Sequence, residues 1–195
     1  MNKNKGLTLI EMMIALVIGL LVVGTVITIF ITNVRSFRDN VAMSKLNQEL
    51  RGVMTFISDE VKRTGYSSDP DESAFMDDLA VSAGCIRYSY DEDADGVRDT
   101  NERFGFQLNA NAIEWANNNT AADCSAATTW EDITDTAIAN ITAFTLTPTP
   151  LVAIPAGGVE IYQMTVTITG QTTLSNNDIA SRTITEVIRV RNDES

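Results

Sequence analysis

The stretch from Met12 to Val34 constrains this chain most, because it contains no Asp, Glu, Lys or Arg. As a helix it would be about 35 Å long, enough to cross a bilayer core of about 30 Å. It holds no proline, so nothing forces a kink. Gly19 and Gly24 are its weak points, where another helix can approach or the helix can loosen. Ahead of it lie Lys3 and Lys5, then Gly6, then Leu7-Thr8-Leu9-Ile10-Glu11. A cleaved secretory signal has a shorter apolar core with a small-residue site behind it. Here no such site precedes Arg35, and the glycine stands in front of the run. An uncleaved anchor is the plainer alternative, and Gly6 and Glu11 are what argue against it.

Glu11 is a carboxylate at the mouth of an apolar helix. At a membrane centre it would cost about 2.5–3.5 kcal/mol, and near an interface less. Two readings are compatible. In a capping box, Thr8 caps the helix and Glu11, three residues on, reaches back to the backbone. In an assembly, the same charge awaits a cation from another subunit.

From Val34 to Thr64 the pattern turns amphipathic. Met43, Leu46, Leu50, Val53, Ile57 and Val61 recur at spacings of three and four, the stripe of a helix with one buried face. Gly65 is the expected stop, and Gly52 a possible bend. Beyond it the acidic segment 67–78 reads as a solvated loop. Strands are expected at Cys85–Tyr90, around Phe104, Phe106 and Leu108, at Ala112–Trp115 after a turn at Asn109-Ala110-Asn111, and at Ile141–Thr147, Val159–Thr169 and Arg182–Arg191. Asn117–Thr129 reads as an irregular loop. Pro148, Pro150 and Pro155 are expected to break the chain between strands. The fold class is α+β, with a long N-terminal helix laid across a mostly antiparallel sheet.

The leader and helix start, Lys5-Gly6-Leu7-Thr8-Leu9-Ile10-Glu11-Met12, resemble the cleavage and methylation motif of type IV prepilins. The resemblance implies cleavage after Gly6 by a prepilin peptidase and N-methylation of Leu7. It also implies docking of Glu11 with the N-terminal amine of a neighbouring subunit. Many members of that family have phenylalanine where this chain has Leu7, and major pilins often carry a proline where Thr28 stands. The longer run Ile10–Tyr66 resembles PilW-type minor pilins, counterparts of the J-type minor pseudopilins of type II secretion. The layout expected is a leader (1–6), a membrane and filament-core helix (7–34), its amphipathic continuation (35–66) and an exported pilin-like β-rich domain (67–195).

Losing residues 1–6 removes Lys3 and Lys5 and takes the formal net charge from −12 to −14. A surface this acidic argues against binding nucleic acid. Lys3 and Lys5 favour a cytoplasmic N-terminus, and Arg35 and Arg38 nearly cancel that preference. The prepilin resemblance and the cysteine pair favour export of the C-terminal part. That compartment makes Cys85 and Cys124 a disulfide, worth roughly 4 kcal/mol in the chain-entropy picture. Two buried free thiols are the alternative.

One chemical motif lies between two expected strands. Asp91-Glu92-Asp93-Ala94-Asp95-Gly96-Val97-Arg98-Asp99-Thr100-Asn101-Glu102 fits D-x-D-x-D-G followed by five residues and Glu, the calcium-loop pattern. Calcium takes six to eight oxygens. Carboxylates at alternate positions of a tight loop converge on one point, and Gly96 permits the turn. Asp91, Asp93, Asp95, the Val97 carbonyl, Asp99 and Glu102 are the expected ligands of a structural calcium. The flanking strands, where a helix pair would be usual, weaken the case for Glu102. An exposed acidic hairpin loop is the alternative.

The chain contains no histidine, which removes His-dependent triads and His metal sites. No Gly-rich phosphate loop follows a strand, and no acid/base carboxylate pair stands out. The chain therefore reads as a structural subunit and not an enzyme, and the resemblance implies a minor pilin that primes a type IV pilus near its tip. The resemblance implies other minor pilins, the major pilin, the inner-membrane assembly platform, the prepilin peptidase and a tip adhesin as partners. It places the chain in the inner membrane with its C-terminal domain in the periplasm, then on the pilus, in adhesion and twitching motility. A minor pseudopilin of type II secretion is the alternative within that machinery. A surface- or glycan-binding module using Tyr88, Tyr90, Trp115 and Trp130 is the alternative of another class.

Overall fold

The computed structural model describes residues 8–69, 74–118, 124, 129–151 and 161–190. The chain divides into two compact units, Met1–Val41 and Ala42–Ser195. One helix, α1 (Leu9–Val61), contributes to both. Its N-terminal part is long and apolar enough to cross a membrane, and its large apolar side chains from Leu9 to Ile31 are exposed. The hydroxyls of Thr25, Thr28 and Thr32 donate to the carbonyls of Val22, Gly24 and Thr28. Each polar group is thus satisfied within the helix, as a segment in lipid requires.

In the second unit the stripe read from the sequence is the buried face. Leu46, Leu50, Ile57 and Val61 are fully buried, Val53 and Met54 nearly so, and Met43 packs against them in part. Gly52 does not interrupt α1. The helix gives way to turns after Val61, and Gly65 ends them at φ +77°, with its N–H donating to the Ser89 carbonyl at 2.9 Å. Glycine adopts that left-handed conformation without steric cost.

Two antiparallel sheets receive this face. The first has the order β1-β2-β3-β4-β5 (Ala80–Ser82, Cys85–Ser89, Arg103–Asn109, Ala112–Ala116, Glu131–Asp132). The second has the order β6-β7-β8 (Asn140–Leu151, Ile161–Thr173, Ile179–Arg189). A four-residue helix, α2 (Ala74–Asp77), lies within the segment expected as loop. Two residues of positive φ, Ala110 and Asn111, make the tight β3–β4 turn, as the hairpin twist demands. The Ile141 N–H donates to the Asn111 carbonyl at 2.8 Å and ties that turn to the start of β6.

The prolines behave differently from expectation. β6 runs through both Pro148 and Pro150, while Pro155 lies outside the described residues. β6 is an outer strand of its sheet, and the spacing of two keeps both missing N–H groups on one side, off the ladder to β7. Most of the loop expected at Asn117–Thr129 also lies outside the described residues.

β7 alternates as read, with Met164, Val166 and Ile168 buried and Thr165, Thr167 and Thr169 on the outer face. Gly170 continues the inner face and comes up against α1. A Cβ there would lie 3.0 Å from Leu50 Cδ2 and 3.1 Å from Leu46 Cδ1. Gly170→Ala is therefore expected to destabilise the folded chain by about 1–3 kcal/mol, as overpacking does. Gly52→Ala, which meets nothing within 4 Å, should not destabilise it. Thermal melts of both variants check this, and an unchanged midpoint for Gly170→Ala would contradict the close approach.

Candidate functional site

Gly6 and Leu7 lie outside the described residues. At the start of α1, Glu11 Oε2 accepts the Thr8 N–H at 2.8 Å and the Thr8 hydroxyl at 2.9 Å. The Glu11 N–H in turn donates to Thr8 Oγ1 at 3.3 Å. This is a capping box: each residue satisfies an orphan amide of the other. The carboxylate is exposed and stands at the positive end of the helix dipole.

The acidic loop between β2 and β3 brings three of its carboxylates together. One oxygen each of Asp91, Asp93 and Asp95 lies within 4.8 Å of the others; Asp91 is buried and the other two are exposed. Asp91 is the anchor. Its Oδ2 accepts from the Ser68 N–H at 2.8 Å, the Ser68 hydroxyl at 2.6 Å and the Gly96 N–H at 3.1 Å. Its Oδ1 accepts from the Asp95 N–H at 3.2 Å. The Ser68 hydroxyl first, and then these backbone amides, hold the Asp91 carboxyl below its ordinary value. Gly96 sits at φ +75°, and a Cβ there would come within 2.9 Å of Asp69 Cβ. The turn read from the glycine is therefore sterically required.

Glu102 does something else. It is buried, its Oε1 accepts the Glu92 N–H at 2.8 Å, and its Oε2 accepts the Asp99 N–H at 2.9 Å. Both oxygens close the base of the loop, and Glu102 is not among the converging carboxylates. Asp99 precedes a short 3-10 turn, Thr100–Glu102. The Val97 side chain is exposed, and its N–H donates to Asp95 Oδ1 at 2.7 Å. The carboxylates that converge are thus those of Asp91, Asp93 and Asp95, oxygen donors of the kind that suits a hard ion.

Cys85, at the start of β2, and Cys124 form a disulfide with Cα atoms 6.1 Å apart. Tyr88 and Tyr90 are core residues, stacked with Phe104 and Phe106. Trp115 is half-buried against Phe104, and Trp130 is half-buried. Two of the four aromatics considered for a binding surface are therefore not available to a ligand.

Two charged groups escaped the sequence reading. Glu60, nearly buried on α1, accepts from the hydroxyls of Tyr88 and Tyr90 at 3.2 and 3.1 Å and pairs with Arg63 at 3.2 Å. Desolvation and the Glu60 charge push both tyrosine hydroxyls upward, so they stay protonated as donors. Asp78, also buried, meets Arg87, Arg98 and Arg103 at 3.2–3.3 Å. Arg98 belongs to the acidic loop, so this cluster ties the loop's far limb to β2 and β3. A Glu60–Arg63 spacing of three was visible in the sequence; the convergence of three separated arginines on one carboxylate was not.

Two families match. The prokaryotic N-terminal methylation motif covers residues 1–27. The family described as prepilin peptidase-dependent protein B covers residues 39–190. The chain belongs to the prepilin peptidase-dependent protein B family. It is a type IV pilin-like minor pilin, with an α+β architecture of one long N-terminal helix on antiparallel sheets. The one helix long and apolar enough to cross a membrane among the described residues fits one-pass anchoring in the inner membrane, and the motif implies processing by prepilin peptidase. Comparison with curated proteins and with solved structures gave no match.

The lowered Asp91 group sets an acid limit. Because its folded value lies below that of an ordinary aspartate, its contribution to stability is complete above the ordinary value and is lost as pH falls through the folded one. Ser68→Ala should shrink that acid-labile contribution and lower stability at pH 7. Urea melts of both chains from pH 7 to pH 3 check it, and parallel curves would sink the assignment.

Proposed function

We propose that this chain is a minor pilin that primes type IV pilus assembly and takes a place near the filament tip. The observation that carries the reading is the conjunction at its N-terminus. A basic leader and Gly6 run into a capped Thr8–Glu11 start, and from there into a 53-residue helix. Such a stem suits extraction from a membrane into a filament. In the membrane the apolar segment faces lipid; in a filament it faces the same segment of neighbours. Glu11 would exchange its Thr8 bonds for the N-terminal amine at Leu7 of an adjacent subunit. The partners are then other minor pilins, the major pilin, the assembly platform and a tip adhesin, with the second unit in the periplasm before assembly. Adhesion and twitching motility would follow from the filament. The role is structural and not catalytic. A minor pseudopilin of type II secretion uses the same stem.

The test replaces Gly6 by Ser and Glu11 by Ala separately and follows leader cleavage, surface pili and protein secretion. Gly6→Ser is expected to block cleavage and deplete pili; Glu11→Ala is expected to deplete pili despite normal cleavage. Loss of secretion with normal pili would move the chain to type II secretion. Full processing and piliation in both variants would reduce the stem to an anchor.

The same reading includes a structural calcium at Asp91, Asp93 and Asp95. Three carboxylates from alternate positions supply a negative, oxygen-rich seat between two strands. Binding to the folded state alone would add about 2.7 kcal/mol at a hundredfold excess over Kd. Calcium should therefore raise the melting midpoint of the full chain in detergent. Chelator should reverse the gain, and an Asp93→Asn, Asp95→Asn double variant should not show it. Identical midpoints with calcium and with chelator would sink the calcium assignment and leave the pilin reading untouched.

A further inference from the structure

The outer strands of the two sheets are guarded unequally. Unpaired edge amides and carbonyls are a template for another strand, and short length, proline, lysine and bulges blunt them. In the first sheet β1 has three residues and β5 two. In the second, β6 carries Pro148 and Pro150 and a register shift between Ile141 and Ala143. β8 has none of these devices. Its eleven residues hold no proline or lysine, and they pair with β7 in unbroken register from Ile179 to Arg189. No strand lies beyond it among the described residues.

Two charges on the inner face of β8 decide what can pair there. Arg182 is exposed and makes no ion pair among the described residues. Ile184, half-buried, follows two residues on. Glu186 comes two residues later, and its Oε1 accepts the Ser58 hydroxyl at 3.0 Å. A cleft of about 310 Å³ lies beside Ile184 and Glu186, walled by Arg51, Met54 and Thr55 of α1. An inward-facing charge deters any incoming strand that lacks the opposite charge at that position. β8 itself is a strand that has it, because Arg182 and Glu186 stand at equal distances either side of Ile184.

We propose that β8 pairs antiparallel with β8 of a second copy of this chain, centred on Ile184, joining two three-stranded sheets into one. In that register Arg182 of each copy faces Glu186 of the other, so both inward charges find counterparts. The two Ile184 side chains face each other beside the clefts. On the outer face, Thr183 of each copy meets Thr185 of the other. This extends the rungs that these residues already make with Thr169 and Thr167, at 2.9 and 3.1 Å. The exposed Val187 comes opposite Ser181, and the exposed Ile179 opposite Arg189, so no like charges meet. A slip by two residues would set both charges against apolar side chains. Every residue of the contact belongs to the second unit, and the inference stands apart from which machinery uses the pilin.

Sedimentation velocity of the purified full chain in detergent tests this. A concentration-dependent dimer is expected. Arg182→Glu and Glu186→Arg should each weaken it about twentyfold, because both symmetric charge pairs are lost and like charges meet in their place. Mixing the two variants should restore a dimer of parental strength, since the acids of one chain then face the bases of the other at both positions. Misfolded chains would not regain it. Ile184→Cys gives a reading that needs no charge change: position 184 alone faces itself, so this variant should form a covalent dimer on oxidation, and Val187→Cys should not. A monomer at every concentration would overturn the proposal and leave the edge to another protein's strand. A dimer indifferent to both charge reversals would place the contact on the stem or another surface and overturn it equally. Failure of the mixture to regain the dimer, or equal cross-linking at positions 184 and 187, would refute the register.

Discussion

The contact on which the second unit depends is the burial of one face of α1 between two sheets. Leu46 and Leu50 press on Gly170 of β7, while Phe56 reaches Phe106 and Trp115 of the other sheet. The sheets share no strand among the described residues; α1, the packing of β6 against β1, β3 and β4, and backbone bonds such as Ile141 N–H to Asn111 hold them in one core. Fully burying a side chain of this size is worth about 1.5–3 kcal/mol relative to exposure. Six such positions on one stripe outweigh any single polar contact in the unit. The near-contact at Gly170 shows how closely the helix is seated: an added methyl group would press on the ends of the Leu46 and Leu50 side chains.

That seating has electrostatic consequences. Because α1 lies against the aromatic strand face, Glu60 is carried out of water and must find partners there. Tyr88, Tyr90 and Arg63 provide them, with Trp115 donating to Tyr88 at 3.2 Å. A buried carboxylate with several donors is tolerated, whereas one left alone would cost several kcal/mol. The segment after α1 is bound to the acidic loop in the same manner. The Asp91 N–H donates to the Tyr66 carbonyl at 2.8 Å, and the Asp91 side chain takes both donors of Ser68. Order in the loop is thus coupled to the exit of the helix.

The acidic loop shows how motif and geometry divide the work. Asp91, Asp93, Asp95 and Gly96 were legible because a period of two in a tight turn brings carboxylates together and because only glycine suits that backbone. Glu102 was less legible. In a helix-flanked loop the twelfth position swings in toward the ion. Here β3 begins at Arg103, and the strand geometry leaves Glu102 buried beneath the loop with its oxygens on two backbone amides. The Asp78 cluster was illegible for another reason: Arg87, Arg98 and Arg103 come from different elements, and nothing local marks them as partners.

By itself the amino-acid sequence determined the elements whose causes are local. The uncharged run dictates an apolar helix, the three-and-four spacing dictates which face it buries, and Gly65 and Ala110-Asn111 mark where the chain turns. It also carried the family, since the leader, Gly6 and Glu11 sit together in one short motif. Tertiary structure alone decided what depends on neighbours distant in sequence. It split the strands into two sheets, let β6 run through two prolines by making it an outer strand, and buried Tyr88 and Tyr90 beneath α1. It also made β8 the outer strand of its sheet among the described residues. Strand order and burial arise from long-range packing, in which each contact depends on all the others being made, and a local pattern carries no record of that choice.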